Sequence, residues 1–234
     1  YSDGLILQDF TVEDTPGNGI RIFRSRYITM RGVRARWHDL AGRDETDPAY
    51  TPRSDVGAYA LYPVETRHIL MENCEAHGAS DAGVYVGQSS DIIVRNCLAT
   101  YNVAGYEFEN TYRAIFEKNV ATKNTGGFLI FDLPDLRQYG EKNIVRRNKS
   151  YNNNINNFAP AGNIVGSTPR GTGMLILASD QLEVYDNEIY DNDSFGIAIV
   201  NYGLADANEP DKRYDFYPEG IHIHNNIFRN NGGN

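Results

Sequence analysis

Short runs of alternating apolar and polar residues, each led by glycine, recur along the chain: Gly19-Ile20-Arg21-Ile22, Gly57-Ala58-Tyr59-Ala60, Gly83-Val84-Tyr85-Val86, Gly105-Tyr106-Glu107-Phe108, Gly127-Phe128-Leu129-Ile130, Gly173-Met174-Leu175-Ile176 and Gly196-Ile197-Ala198-Ile199. The glycines at 83, 105 and 127 are 22 residues apart, and those at 173 and 196 are 23 apart. A second pattern falls between them, as in Ile69-Leu70-Met71-Glu72-Asn73-Cys74-Glu75-Ala76 and Ile92-Ile93-Val94-Arg95-Asn96-Cys97-Leu98-Ala99. It reads as two short strands broken by a two-residue turn. Period-two alternation marks half-buried strands, and a fixed period of about 22 residues marks a stacked repeat.

Four residues on from the first apolar position of the second pattern stand Asp9, Gly32, Asn73, Asn96, Asn119, Asn148, Asp186 and Asn225. Asn and Asp tolerate the left-handed backbone and hydrogen-bond locally, so this column predicts a ladder at one corner of every repeat. Cys74 and Cys97 occupy equivalent inward positions in adjacent repeats, 23 residues apart, with Val120 expected next. They read as a stack of core thiols.

This unit of strand, turn, strand, Asn corner, strand and turn resembles the right-handed parallel β-helix proteins of the pectate-lyase-like superfamily, over the whole chain. More narrowly, the stretches Gly78-Ala79-Ser80-Asp81-Ala82-Gly83-Val84-Tyr85-Val86-Gly87-Gln88-Ser89, Phe131-Asp132-Leu133-Pro134 and Asn157-Phe158-Ala159-Pro160 are similar to a bacterial exported family of β-helix repeat proteins whose molecular function is unassigned. The resemblance implies an all-β solenoid of about eight coils, three short strands per coil, with the Asn ladder at the second turn. At roughly 4.8 Å per coil the rod is about 38 Å long. Residues 1–234 form one such domain, expected to be the middle of a longer exported chain that acts in the secreted, periplasmic or outer-envelope space, as a monomer.

Insertions interrupt the period at residues 38–56, 133–143, 152–172 and 202–219, two on each side of the glycine-led strand. Long loops around one face of a regular scaffold are where function concentrates. Alternation points Arg21, Tyr59, Leu61, Tyr85, Gly87, Glu107, Glu109, Leu129 and Phe131 outward on that face, with Gln88, Asn110, Asp132 and Asn201 just beyond. Aromatic rings beside carboxylates suit a sugar chain, and the resemblance places the groove of polysaccharide-acting β-helices on the same strand.

Composition narrows the partners. With 22 basic and 31 acidic residues the net charge is −9, which argues against a nucleic-acid partner. No window is long and apolar enough for a membrane-spanning helix.

Glu107 and Glu109 project from one strand with Cα atoms about 6.8 Å apart, compatible with the carboxylate pairs of glycosidases. With Asp132 they are alternatively expected to hold Ca²⁺, which takes oxygen ligands and, in polyuronate lyases, neutralises the substrate carboxylate. A lyase or epimerase also needs a base and an acid, for which Tyr85, Tyr59, His38 and Arg43 or Arg53 are the candidates; Arg21, Gln88, Asn110, Phe131, Asp132 and His38 would contact substrate. The chain lacks the Asp-Pro-His run of mannuronan epimerases. His222 and His224 leave one strand on the same face without an evident third ligand, and read as exposed polar positions. Asn148 and Asn192 sit in Asn-X-Ser triplets that read as coincidence in an Asn-rich repeat.

Two main readings follow: an exported polysaccharide-acting protein, with lyase or epimerase chemistry ahead of hydrolysis, or a non-catalytic β-helix that binds a glycan or partner in the cell envelope. A third class, metal handling through His222 and His224, would fail if calorimetry with Cu²⁺ and Zn²⁺ showed no specific binding.

Overall fold

The computed structural model describes residues 2–39, 42–47, 49–204 and 211–233. The first and last insertions therefore lie partly outside the described residues. Within them the chain winds through three parallel sheets of eight, eight and seven strands, and every strand pairs with the strand three further along the sequence. This is the expected solenoid of about eight coils. Successive coils match in register: Val84, Tyr106, Phe128, Met174 and Ile197 form one column of the third, glycine-led sheet, and Val86, Phe108, Ile130, Ile176 and Ile199 form the next.

All but the last of these coils bury those columns fully. The Tyr106 and Phe128 rings stack at 4.7 Å, and the Tyr106 hydroxyl donates to the Cys97 carbonyl at 2.7 Å. Ile199, on the last strand of the sheet, is 47% exposed because no described strand covers it.

The turns explain the polar columns. Asp9, Gly32, Asn73, Asn96, Lys118, Arg147, Asp186 and Asn225 all take positive φ, so the chain bends in the left-handed region at this corner in every coil. Asn119 and Asn148 were expected in that column and are not: they follow it by one residue and point into the core. There Cys97 N–H donates to Asn119 Oδ1, Asn119 N–H to Asn148, Asn148 N–H to Asn187 and Asn187 N–H to Asn226, at 2.9–3.0 Å. Asn119, not Val120, is the residue stacked on Cys97, because it satisfies the backbone donor that a hydrophobe would leave bare. Cys74 and Cys97 are buried free thiols, with the Cys74 N–H donating to Cys97 Sγ at 3.4 Å. A second buried ladder, Asn102, Asn124, Asn153, Asn192 and Asn231, runs along the third turn. The same Asn periodicity signals it in the sequence.

One strand is out of phase with expectation. Leu61–Val64, not the Gly57 run, is the third-sheet strand of its coil, with Leu61 opposite Ile20 and Val84. Leu61 is thus a core residue, and Tyr62 takes the outward place beside Arg21. Ala60 fills the role that Gly19 and Gly83 play elsewhere.

Candidate functional site

The outer face of the third sheet carries a second apolar cluster. Val64, Ala82, Tyr85, Val103, Ala104, Leu129 and Phe131 are covered by Phe158 and Val165 from the 152–172 insertion. Asn157 fastens that insertion on itself, its amide donating to the Val165 and Thr168 carbonyls at 2.8 and 3.0 Å. A short 3-10 turn, Ile164–Ser167, follows Asn163. The face expected to be an open groove is therefore roofed, and what remains is a pocket of about 330 Å³ lined by Tyr59, Asp81, Glu107, Glu109, Phe131 and Leu133 below and Asn163, Ile164 and Val165 above.

Register brings the acids together. In the strand Ala104–Glu109, Glu107 lies between Tyr85 and Leu129, and Glu109 between Gly87 and Phe131. A Cβ at Gly87 would collide with the Tyr85 ring and hydroxyl, so this glycine allows Tyr85 to lie along its own strand and hydrogen-bond Glu109. Asp81, the last residue before the strand Ala82–Gly87, completes the set. It accepts from the Asn163 amide at 3.3 Å and hydrogen-bonds Tyr59 and Glu107.

Burial dominates the electrostatics. Glu107 is 2% exposed, and desolvation together with the charges of Asp81 and Glu109 pushes its carboxyl far above the usual range. Desolvation raises Asp81 to about 6, although the hydrogen bonds from Tyr59, Glu107 and Asn163 pull it down. Glu109 is raised by burial and partly lowered by the Tyr85 hydroxyl. Fully ionised, the pair would leave Glu107 Oε1 and Asp81 Oδ1 buried with no hydrogen-bond partner. A proton on Glu107, donated to Asp81, removes that cost. Burial and mutual repulsion thus favour a single proton shared by the two carboxyls, as in other carboxyl pairs that cannot both ionise.

Tyr59 and Tyr85 do not fit the role of base. Burial and the neighbouring carboxylates push both phenols far above their ordinary value, so they stay neutral and donate hydrogen bonds. With Tyr62 they form an aromatic wall, ring centroids 4.4–4.8 Å apart.

Of the other expected contacts only Phe131 lines the pocket. Arg21 sits over the Phe23 and Tyr62 rings at 5.2 and 5.3 Å, outside it. Gln88 faces a separate depression with Arg24, Glu65 and Arg137. Asn110 pins the 133–143 insertion, its amide donating to the Leu133 and Gln138 carbonyls at 2.9 and 2.8 Å. His38 pairs with Asp14 at 2.9 Å on the second-sheet side of the rod. Asp132 is buried beneath the 133–143 insertion, where its Oδ2 accepts the Gly140 N–H, its Oδ1 has no partner, and desolvation raises it to about 8. Among the described residues of the four insertions, only those of 133–143 and 152–172 wall the pocket. The last braces the former, with the Tyr214 hydroxyl donating to the Asp132 carbonyl at 2.6 Å.

The calcium set does not assemble. Among the described residues, the His, Cys, Asp and Glu ligand atoms that gather as a group of three within 4.8 Å of one another belong to Glu183, His222 and His224. Glu107, Glu109 and Asp132 form no such group. Asp81 and Tyr62 were missed in the sequence. Asp81 had only its place before an acidic strand face to mark it, and Tyr62 was hidden by the misphased strand.

The family model described as "Right handed beta helix region" matches residues 1–135 and 54–203, and the chain belongs to that family. No curated protein matches the sequence. Among solved structures it is similar to the A-module of the mannuronan C-5 epimerase AlgE4 of Azotobacter vinelandii, with a TM-score of 0.59 and 15% identity over 96% of this chain. The chain spans 61% of that module. No helix among the described residues is long and apolar enough to cross a membrane.

Proposed function

We propose that this protein acts on a polysaccharide at the pocket roofed by residues 152–172, and that its reaction is acid–base cleavage of a glycosidic bond in a neutral glycan. The observation that carries this reading is the Asp81–Glu107 pair, which shares one proton beside a third carboxyl, Glu109. Glycosidases need one carboxyl that keeps its proton for the leaving oxygen and another that is ionised to activate water or attack carbon. Glu107 suits the first role. Glu109, whose carboxylate the Tyr85 hydroxyl favours, suits the second.

Proton abstraction beside a uronate carboxylate, the chemistry of lyases and epimerases, is less well served. Among the described residues no Lys, Arg or His lines the pocket to neutralise the substrate's charge, and a uronate would meet three acids. The fold shared with a mannuronan epimerase supports a polysaccharide ligand without supplying that chemistry. Tyr59 and Phe131, which line the pocket, offer a sugar ring an apolar face, with Tyr62 and Tyr85 packed behind Tyr59.

The test is incubation with a panel of neutral and uronate polysaccharides, scoring new reducing ends against unsaturated uronate ends by ultraviolet absorbance. Reducing ends from a neutral glycan, lost in Glu107→Gln with folding retained, support the proposal. Unsaturated ends would replace it with β-elimination, and binding without turnover would replace it with a binding module.

A further inference from the structure

Outside this pocket, among the described residues, a further group of three side chains brings donor atoms together. His222 and His224 lie on the strand His222–His224 of the first sheet, whose partner strand is Glu183–Tyr185, with Glu183 in register opposite His222 and Tyr185 opposite His224. Ile223, between the histidines, packs on the core, so both imidazoles project to the outside. The rings lean together with centroids 4.3 Å apart. Glu183, absent from the sequence reading because it comes from the preceding coil, reaches diagonally to place Oε1 3.1 Å from His224 Nε2. The three ligand atoms lie within 4.8 Å of one another.

We propose that Glu183, His222 and His224 bind a divalent first-row transition ion, with Zn²⁺ and Cu²⁺ the best fits. Two imidazoles and one carboxylate are the donor set that such ions favour, whereas Ca²⁺ takes six to eight oxygens. Tyr185 stacks against the His224 ring at 5.0 Å, and Arg146 donates to the Tyr185 hydroxyl at 2.8 Å, which orients one ligand from behind. His222 is exposed and no described strand pairs beyond it, so solvent can complete the coordination. The ion would join two coils whose only strand pairing at this point is three residues long, and would staple the chain that returns from the insertion at 202–219 to the coil below.

The full chain, stripped with chelator, should bind one Zn²⁺ or Cu²⁺ by calorimetry. His222→Ala and His224→Ala should each weaken binding at least about tenfold, since even the loss of a supporting partner costs about 10–100-fold. Of the five imidazoles followed by nuclear magnetic resonance, Zn²⁺ should shift two. Zn²⁺ should also raise the melting temperature of the parent and not of Glu183→Gln, and Ca²⁺ should do neither. Absence of saturable binding would overturn the proposal. So would unchanged affinity in the double variant His222→Ala/His224→Ala, which would place the ion elsewhere, or an equal response to Ca²⁺.

Discussion

Two buried polar regions share this rod and obey opposite rules. Along the second and third turns, Asn side chains are stacked so that amide meets amide: Asn124 accepts from the Asn102 backbone and side chain, and donates to Ala99, Thr122 and Asn153. On the outer face of the third sheet, Asp81, Glu107 and Asp132 are also buried, yet each, if ionised, would keep a carboxyl oxygen without a partner. A neutral amide supplies donor and acceptor in equal measure, so a ladder of them closes its hydrogen bonds and stabilises. A carboxyl lacks the donor unless it keeps a proton, so the acids stay poised to exchange one. The first region is scaffold, and the second has the character of a site.

The largest expected effect comes from removing the shared proton. Glu107→Gln should lower turnover by about 10²–10⁴-fold while leaving the fold intact, measured as reducing-end release with circular dichroism as the control. Asn124→Ala should do the reverse, costing about 3 kcal/mol in urea unfolding because it strands several buried partners, with the carboxyl site otherwise unchanged.

A third prediction uses pH. A carboxyl whose folded value lies above its unfolded one contributes stability fully present below the unfolded value and lost as pH rises through the folded one. For Asp132 that window runs from its ordinary value of 3.8 to about 8. The melting temperature should therefore fall between about pH 4 and pH 8, and Asp132→Asn should flatten the slope. A slope left unchanged by Asp132→Asn would show that burial does not raise Asp132 in the folded state. The smallest effect is expected for Gly87→Ala, which pushes Tyr85 off Glu109 and should cost about 1–2 kcal/mol, with the Glu109 carboxyl raised further once its phenol donor is gone.

Most of the fold was legible because a solenoid writes its period into the sequence. The 22-residue spacing, the inward columns and the Asn corner all survive, and the errors are shifts of phase: Asn119 by one residue, and the Leu61–Val64 strand hidden behind Gly57. The site was half legible. Glu107, Glu109, Tyr85 and Phe131 were placed on the outer face because alternation on a strand fixes the face, whereas Tyr59 reaches the pocket from the turn before Leu61–Val64, not from the strand that the Gly57 run suggested. Asp132, Asn110 and His38 were misassigned because they lie at turns or strand ends, where side-chain direction follows insertions that have no period. Asp81 and Glu183 were missed because each acts across coils, a contact that spacing alone does not display.

The central claim is that Asp81 and Glu107 hold one proton between them near neutral pH. Carboxyl-carbon nuclear magnetic resonance on chain labelled at Asp and Glu, assigned with Asp81→Asn and Glu107→Gln, reads it directly. One resonance, that of Glu107, should stay protonated through neutral pH, while that of Asp81 moves near pH 6. Two resonances that both titrate at ordinary carboxylate values, near pH 4, would contradict it.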